Sequence, residues 1–404
     1  MRRVVGPVAL IAVLCGLVAG PAAAAEPQTV IVKFRAGAAP AATAALLGAA
    51  PQVGSVPTLG ATVVQPAGDP SALVAELNRR GLVEYAEPNP TLNLLATPND
   101  PRFPELYGLN NIGQTGGTPG ADIDAPEGWD AAGLGAFPWF GGVKVGIVDT
   151  GIRATHEDLI GKLADCAESS TMPPTLGGPI TEGLCADDLG HGTHVAGLIT
   201  ATANNGKGIT GIAFNSPVAV CKPVGGLLGD GTTADVANCI TYLADKGAKV
   251  ISLSLGGLPS TTLRAAVRYA ASKDVLMVAA AGNEGDARLD YPAAYPEVVS
   301  VAATDSNDRR ASFSNANSHV EIAAPGVDVL STSDASDTAY DAMSGTSVAA
   351  PEVAGVAAII RTKNPDFTAE QARAKLDASV DDLGPPGRDP EYGFGRVNLL
   401  KAAS

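Results

Sequence analysis

Signals for zinc and for anionic partners are sparse in this chain of 404 residues. It holds four histidines, and no His-Glu-x-x-His run places two of them one turn apart on a helix, which argues against a zinc peptidase site. No Cys-x-x-Cys or Cys-x-x-His spacing is present, which argues against a structural zinc. Positive charge is short as well. The formal net charge is −15, which speaks against nucleic acid or an anionic membrane as partner and suits a soluble exported chain or bound cations. Beyond one apolar run near the start there is no second run of roughly 20 apolar residues, so no membrane anchor is expected. Internal repeats and low-complexity tracts are not evident. Small residues and turn formers are what abound, with 47 Gly and 30 Pro. The length implies two or three domains with a large core and many turns.

The N-terminus reads as an export signal over residues 1–25. Arg2 and Arg3 form a basic head, Val8 to Val18 is an apolar run too short for a span, and Ala22 to Ala25 offers small residues for cleavage after Ala23, Ala24 or Ala25. The expected location is secreted and extracellular. Cys15 lies inside the apolar run, not at its end where a lipid-modified cysteine would stand. Removal of this segment leaves Cys166, Cys185, Cys221 and Cys239. An even count in an exported chain points to two disulfides. Three pairings are open. Neighbour pairing, Cys166 with Cys185 and Cys221 with Cys239, closes the shortest loops and is the expectation.

Residues 26–96 read as a small α+β unit. Thr29 to Arg35 and Ala61 to Gln65 are strand-like, Ala41 to Leu47 is helical in composition, and Asp69 with Pro70 starts a second helix that carries Leu73 and Leu77 on one side. Residues 97–404 alternate apolar runs with helical patterns. The runs are Val143 to Val148, Val218 to Cys221, Val250 to Leu253, Val275 to Ala279 and Val298 to Ala302. Helices are expected over Thr233 to Lys246, Thr261 to Ser272 and Ser347 to Lys363. Runs apolar on both faces suit a mostly parallel sheet covered on both sides, so a three-layer α/β domain is predicted.

Three short segments carry chemistry: Val148-Asp149-Thr150-Gly151, His191-Gly192-Thr193-His194-Val195-Ala196-Gly197 and Ser344-Gly345-Thr346-Ser347-Val348-Ala349-Ala350-Pro351. They offer an acid after a strand, a base at the start of a helix, and a hydroxyl nucleophile at the positive end of another helix. A serine hydroxyl is a weak nucleophile at neutral pH. A histidine that takes its proton, held in the right tautomer by a carboxylate, makes it an effective one. Pro351 is read as removing an N–H early in its helix, where the loss does least harm. Ala280-Ala281-Gly282-Asn283-Glu284-Gly285 offers an amide for the oxyanion of an acyl-transfer intermediate.

The order Asp, His, Ser and the motifs around it resemble those of the subtilisin-like serine peptidases, and the order differs from that of chymotrypsin-type chains and α/β-hydrolases. The resemblance implies a subtilisin-like fold and a serine endopeptidase with Asp149, His191 and Ser347 as acid, base and nucleophile. Asn283 and the Ser347 N–H would be the oxyanion donors, and His194 and His156 would be structural. It further implies that residues 26–96 are a propeptide that inhibits and helps to fold residues 97–404, and that no catalytic cofactor is needed. Partners would be protein or peptide substrates and the chain's own propeptide, with a monomer expected. Ser254, Leu255 and Gly256 would form the edge that takes an extended substrate, Gly282 the opposite wall of the P1 pocket, and Asp290 its base. An acid there could pair with Lys or Arg at P1. Maturation between residues 94 and 97, with no Lys or Arg between Arg80 and Arg102, implies instead an apolar P1. Pro98-Asn99-Asp100-Pro101 resembles the start of mature thermitase relatives, which places structural Ca²⁺ on Asp100, Asp158 and Asn205. Two other readings are a processing peptidase of narrow specificity, to which the Cys166–Cys185 segment could restrict access, and a silent binding protein of the same fold. The silent reading would need an altered triad residue, and none is altered.

Overall fold

The computed structural model describes residues 29–37, 47, 50–89, 97–169, 178–223 and 231–404. The export signal and most of the Ala41 to Leu47 helix lie outside them. The chain divides into two units, Met1–Leu94 and Leu95–Ser404.

In the first unit, four strands form an antiparallel sheet in the order β2-β3-β1-β4: β1 (Val30–Phe34), β2 (Gln52–Val56), β3 (Ala61–Val64) and β4 (Val83–Pro88). Helix α1 (Pro70–Arg79) has Pro at its first position, and the Asp69 carboxylate accepts from the Ser71 N–H at 2.9 Å. That is the cap expected from the sequence. Its Leu77 packs into a small core with Val30, Val32, Val64 and Val83. Strand β2 was not expected; its Gly54 and exposed Gln52 and Val53 give it no apolar periodicity.

The second unit is built on a sheet of ten strands: β5 (Val145–Val148), β6 (Leu163–Glu168), β7 (Thr181–Glu182), β8 (Val218–Lys222), β9 (Val250–Leu253), β10 (Leu276–Ala280), β11 (Val298–Thr304), β12 (Val320–Pro325), β15 (Val380–Asp381) and β16 (Arg396–Val397). The order is β15-β16-β12-β11-β10-β9-β5-β8-β6-β7, parallel except at the two ends, where β15 and β7 run antiparallel to their neighbours. A separate hairpin joins β13 (Val329–Thr332) to β14 (Tyr340–Met343).

Side chains alternate along the central strands. Ile147, Val250 and Val278 join one core and Val148, Ile251 and Met277 the other. The first core is covered by α3 (His191–Thr200) and α6 (Thr346–Lys363), with Val195, Ile199, Val353 and Val356 buried in it. Helices α4 (Thr233–Asp245) and α5 (Thr261–Ser272) cover the other face through Ile240, Leu243 and Val267. This is the three-layer α/β arrangement with a mostly parallel sheet, since buried polar backbone on both faces must be paired within the sheet itself. Helix α2 (Ala125–Ala131) contributes Trp129, whose indole N–H donates to the Ile212 carbonyl at 2.9 Å. Helices α7 (Ala369–Asp377) and α8 (Leu399–Ala403) complete the unit.

Two disulfides pair neighbours, Cys166 with Cys185 and Cys221 with Cys239. Each closes a short loop, worth about 3 kcal/mol of unfolded-state entropy. The first ties β6 to the segment before α3, and the second ties β8 to α4.

Candidate active site

The sheet ends neighbouring strands β5, β9 and β10 at one carboxyl edge, the place where open α/β sheets put functional groups. Asp149 follows β5, Ser254 follows β9, and Gly282 and Asn283 follow β10 by two and three residues. Helix α3 brings His191 over this edge, and α6 brings Ser347. The first turn of α3 lies so close to the loop after β5 that a Cβ at Gly192 would stand 2.2 Å from the Gly151 carbonyl oxygen. Glycine at 192 is therefore what allows His191 and Asp149 to meet.

They do meet. His191 Nδ1–H donates to Asp149 Oδ1 at 2.8 Å, and the Ser347 hydroxyl donates to His191 Nε2 at 3.0 Å. Asp149 is buried, its Oδ1 also accepts from the Thr150 N–H at 2.8 Å, and its Oδ2 is buried with no hydrogen-bond partner. The Asp149 charge raises the His191 pKa above its ordinary value. Burial opposes this, while the Asp149 hydrogen bond and the more distant Asp187 add to it. An imidazolium formed here is thus stabilised, which is what a base needs when it accepts a proton from an alcohol. His194, one turn on, is different. It is fully buried, its Nε2–H donates to the Val329 carbonyl at 3.0 Å, and burial first, then His191, pushes its pKa down to about 4. His156 is buried as well, donating from Nε2 to the Ala339 carbonyl at 2.8 Å.

Asn283 is held with its amide oriented. Its Oδ1 accepts from both the Thr346 N–H and the Thr346 hydroxyl at 2.9 Å, which leaves Nδ2 turned the other way. A Cβ on Gly345 would be 2.8 Å from Ser347 Oγ and 3.7 Å from Asn283 Nδ2, so the Ser347 hydroxyl and the Asn283 amide border the same space.

The structure corrects the reading of Pro351. Helix α6 begins at Thr346, which puts Pro351 at its sixth position, beyond the first turn. The missing N–H frees the Ser347 carbonyl, and the Ser254 hydroxyl donates to it at 2.8 Å. Ser254 therefore ties the backbone of Ser347 to the edge of β9.

Asp290 lies between Gly256 and Gly282. A Cβ on Gly256 would be 3.3 Å from the Asp290 Cβ, and one on Gly282 would collide with Asp290 Oδ2. Leu255 is half-buried against the core beneath α4 and α5. Tyr291 pairs with Gly257 by two backbone hydrogen bonds of 3.0 Å, which fixes the slot. Glu284, overlooked in the sequence, stands beside Asp290. The Asn315 amide donates to Glu284 Oε2 at 2.8 Å and to Asp290 Oδ2 at 3.2 Å. Burial, then the Glu284 charge, raises the Asp290 pKa to about 6.

Asp100, Asp158 and Asn205 come together away from this edge. Asp100 accepts from the Asn204 and Asn205 N–H groups and from the Thr210 hydroxyl, and Asp158 accepts from the Asn205 amide, the Ile209 N–H and the Tyr340 hydroxyl. Both carboxylates are buried, and neither is in an ion pair within 4.0 Å among the described residues.

Comparison with known proteins follows the same lines. The subtilase family (Peptidase_S8) matches residues 141–395, and the fervidolysin N-terminal prodomain matches residues 19–89. Thermitase of Thermoactinomyces vulgaris is 40% identical over 312 residues, covering 76% of this chain and 99% of that protein. A thermophilic serine proteinase of Bacillus sp. strain AK1 is 37% identical over 342 residues, 83% of this chain and 77% of that one. Among solved structures, a protease from Pseudoalteromonas arctica superposes with a TM-score of 0.65 at 32% identity, covering 76% of this chain and all of that one.

Proposed function

The chain belongs to the subtilase family of serine peptidases and carries a prodomain of the fervidolysin type, and from that premise we propose a secreted endopeptidase that removes its own prodomain. The observation that carries this reading is the relay Ser347 Oγ–His191 Nε2–Asp149 Oδ1, with links of 3.0 and 2.8 Å, beside the oriented amide of Asn283. In the proposed mechanism Ser347 attacks the scissile carbonyl while His191 takes its proton and then delivers it to the leaving amine. Asp149 holds the imidazole tautomer and compensates the imidazolium charge. Asn283 Nδ2 and the Ser347 N–H donate to the oxyanion. Water then resolves the acyl-enzyme by the same proton path in reverse. The test is labelling by a fluorophosphonate. One adduct is expected, on Ser347, and its formation should fade in acid as His191 becomes protonated. An adduct elsewhere, or none on folded mature enzyme, removes the assignment.

Secretion is supported by the basic-apolar-small pattern of residues 1–25 and by the two disulfides. Among the described residues no helix is long and apolar enough to cross a membrane. The proposed organisation is signal 1–25, propeptide 26–96 and peptidase 97–404, active as a monomer on extended peptide segments. Backbone pairing with the edge after β9 makes a broad substrate range the expected behaviour.

The P1 pocket should respond to pH. Asp290 is mainly neutral below about 6 and charged above it. The Glu284 charge beside it is already present below that pH, so a basic P1 gains a second carboxylate as pH rises, and an apolar P1 gains no partner. The ratio of kcat/KM for Arg-P1 over Leu-P1 peptides should increase from pH 5 to pH 8 in wild type and stay flat in Asp290→Asn. A flat ratio in wild type sets the idea aside.

Asp100, Asp158 and Asn205 fit a structural Ca²⁺ in donor chemistry: two buried carboxylates, neither in a direct ion pair among the described residues, and an amide. The ion would offset the two neighbouring carboxylate charges and fasten residues 99–102 to the 204–210 loop, to which Asn99 and Arg102 already bond. EDTA should lower the melting temperature of mature enzyme, and added Ca²⁺ should restore it. A melting temperature indifferent to both rules the site out.

A further inference from the structure

The base-bearing helix lacks its own cap. The residue before α3 is Gly190, in the left-handed region at φ 84°, with no side chain to accept from the first turn. A side chain there is strained by that φ, and its Cβ would sit 2.5 Å from Asp334 Oδ1, which would have to move. Yet helix N-termini normally have their free N–H groups taken by a nearby acceptor.

Asp187 supplies the acceptor from outside the helix. Its Oδ2 takes the Thr193 N–H at 2.7 Å and the Thr193 hydroxyl at 2.6 Å. Its Oδ1 takes the Thr150 hydroxyl at 2.8 Å, the Gly190 N–H at 2.9 Å and the Leu189 N–H at 3.1 Å. Thr150 Oγ1 in turn accepts from the Gly192 N–H at 2.8 Å, and Thr193 Oγ1 accepts from the Arg153 N–H at 3.0 Å. One carboxylate therefore joins both residues that neighbour the two partners of the relay. Thr150 follows Asp149 directly, and Gly192 and Thr193 follow His191.

The clamp is itself anchored. Cys185 is held by its disulfide to Cys166 and accepts from the Ile152 N–H at 2.8 Å, and the Lys222 ammonium donates to the Ala186 carbonyl at 3.0 Å. The Asp187 carboxyl stays ionised. Burial works against the charge, but the hydrogen bonds from Thr193 and Thr150 outweigh it and lower the pKa.

We propose that Asp187 is a positioning residue of the catalytic apparatus: it clamps the loop carrying Asp149 to the first turn of the helix carrying His191. The inference rests on the Ser347–His191–Asp149 reading above. Asp187 touches no reacting atom, so its effect is on the geometry and basicity of His191. The ionisable groups around His191 are Asp149, Asp187 and His194, and the last remains neutral near and above neutral pH because burial holds its pKa at about 4.

The test is Asp187→Asn, which keeps the size but loses the charge and one acceptor. On mature enzyme, kcat should fall about 10- to 100-fold with KM little changed, the scale of a misplacement of up to about 1 Å in a catalytic group. The acidic limb of the kcat/KM profile should move to lower pH, because His191 loses an anion that favours its protonation. A variant too slow to release its prodomain can be processed by a trace of tagged wild type that is then withdrawn. Thr193→Val and Thr193→Ser form a second pair. Serine should retain activity and valine should lose it, since only serine keeps the hydroxyl that Asp187 accepts from. An acidic limb at the wild-type position, a loss carried by KM alone, or a loss explained by fewer titratable active sites at unchanged kcat overturns the inference. His191→Ala separates the two levels: if it is inactive while Asp187→Asn behaves as wild type, only the clamp fails, and if it is active, the site reading fails with it.

Discussion

Ser347→Ala, expressed without residues 1–25, should remain a full-length chain with its prodomain attached and should hydrolyse peptide amides about 10⁶-fold more slowly than wild type, a magnitude borrowed from the serine variant of a subtilisin, which is a relative. Wild type in the same preparation should yield a mature chain beginning near Ala96 to Asn99. The size of the effect follows from what is lost. His191 Nε2 has its proton donor at 3.0 Å in the Ser347 hydroxyl, and without it there is no covalent intermediate, only water attack assisted by the remaining donors. The fold should tolerate the change. Ser347 is at the second position of α6, alanine is a good helix former, and the Ser254 hydroxyl bonds the backbone carbonyl of residue 347, not its side chain. Intact mass and N-terminal sequencing of both proteins decide the matter. If both are cut at the same place, a different protease performs maturation and self-processing is wrong. If the alanine variant cleaves peptides at the wild-type rate, Ser347 is not the nucleophile.

Much of this site is legible in the sequence because three of its parts are local motifs whose geometry is fixed by small residues. Gly192 permits the contact between α3 and the loop after β5, and Gly345 leaves room between Ser347 and Asn283. Central strands such as Val250–Leu253 and helices such as Thr261–Ser272 were also legible, since apolar runs and capping residues bound them. The missed elements have weaker patterns. Strand β6 mixes Asp165 and Glu168 with Leu163 and Ala167 near the sheet edge, and the β13–β14 hairpin mixes Ser331, Thr332 and Asp341 with Val329, Leu330 and Met343. Asp187 and Glu284 went unnoticed for another reason. A carboxylate four residues before a histidine carries no periodic signal, and its importance comes from Thr150, which lies 37 residues away in sequence. The role of Pro351 was misjudged because the acceptor it frees is satisfied from the end of β9, a contact between positions 93 residues apart.

Replacing Asn283 with alanine should lower kcat by about 10²–10³, or about 2.7–4 kcal/mol, a scale likewise borrowed from a subtilisin, with KM changed no more than a few-fold. The split matters more than the size. An amide that bound the ground-state carbonyl as well as the oxyanion would appear in KM. One aimed at charge that develops later appears in kcat. Here the amide is oriented before substrate arrives, because Thr346 fills Oδ1 with two donors at 2.9 Å. Nδ2 is then ready without reorganisation, which is where such donors derive their effect. Asn283→Asp is the sharper variant. Aspartate keeps an acceptor for Thr346 but puts a second carboxylate oxygen where the oxyanion forms, so it should be slower than alanine at any pH at which it is ionised. Alanine also removes the acceptor for the Thr346 N–H and hydroxyl, so a stability loss is expected for it and not for aspartate. Slower turnover in the better-folded variant would separate electrostatics from mere disruption of the α6 start. Equal kcat in the two variants, or a defect found in KM alone, would remove Asn283 from the oxyanion site.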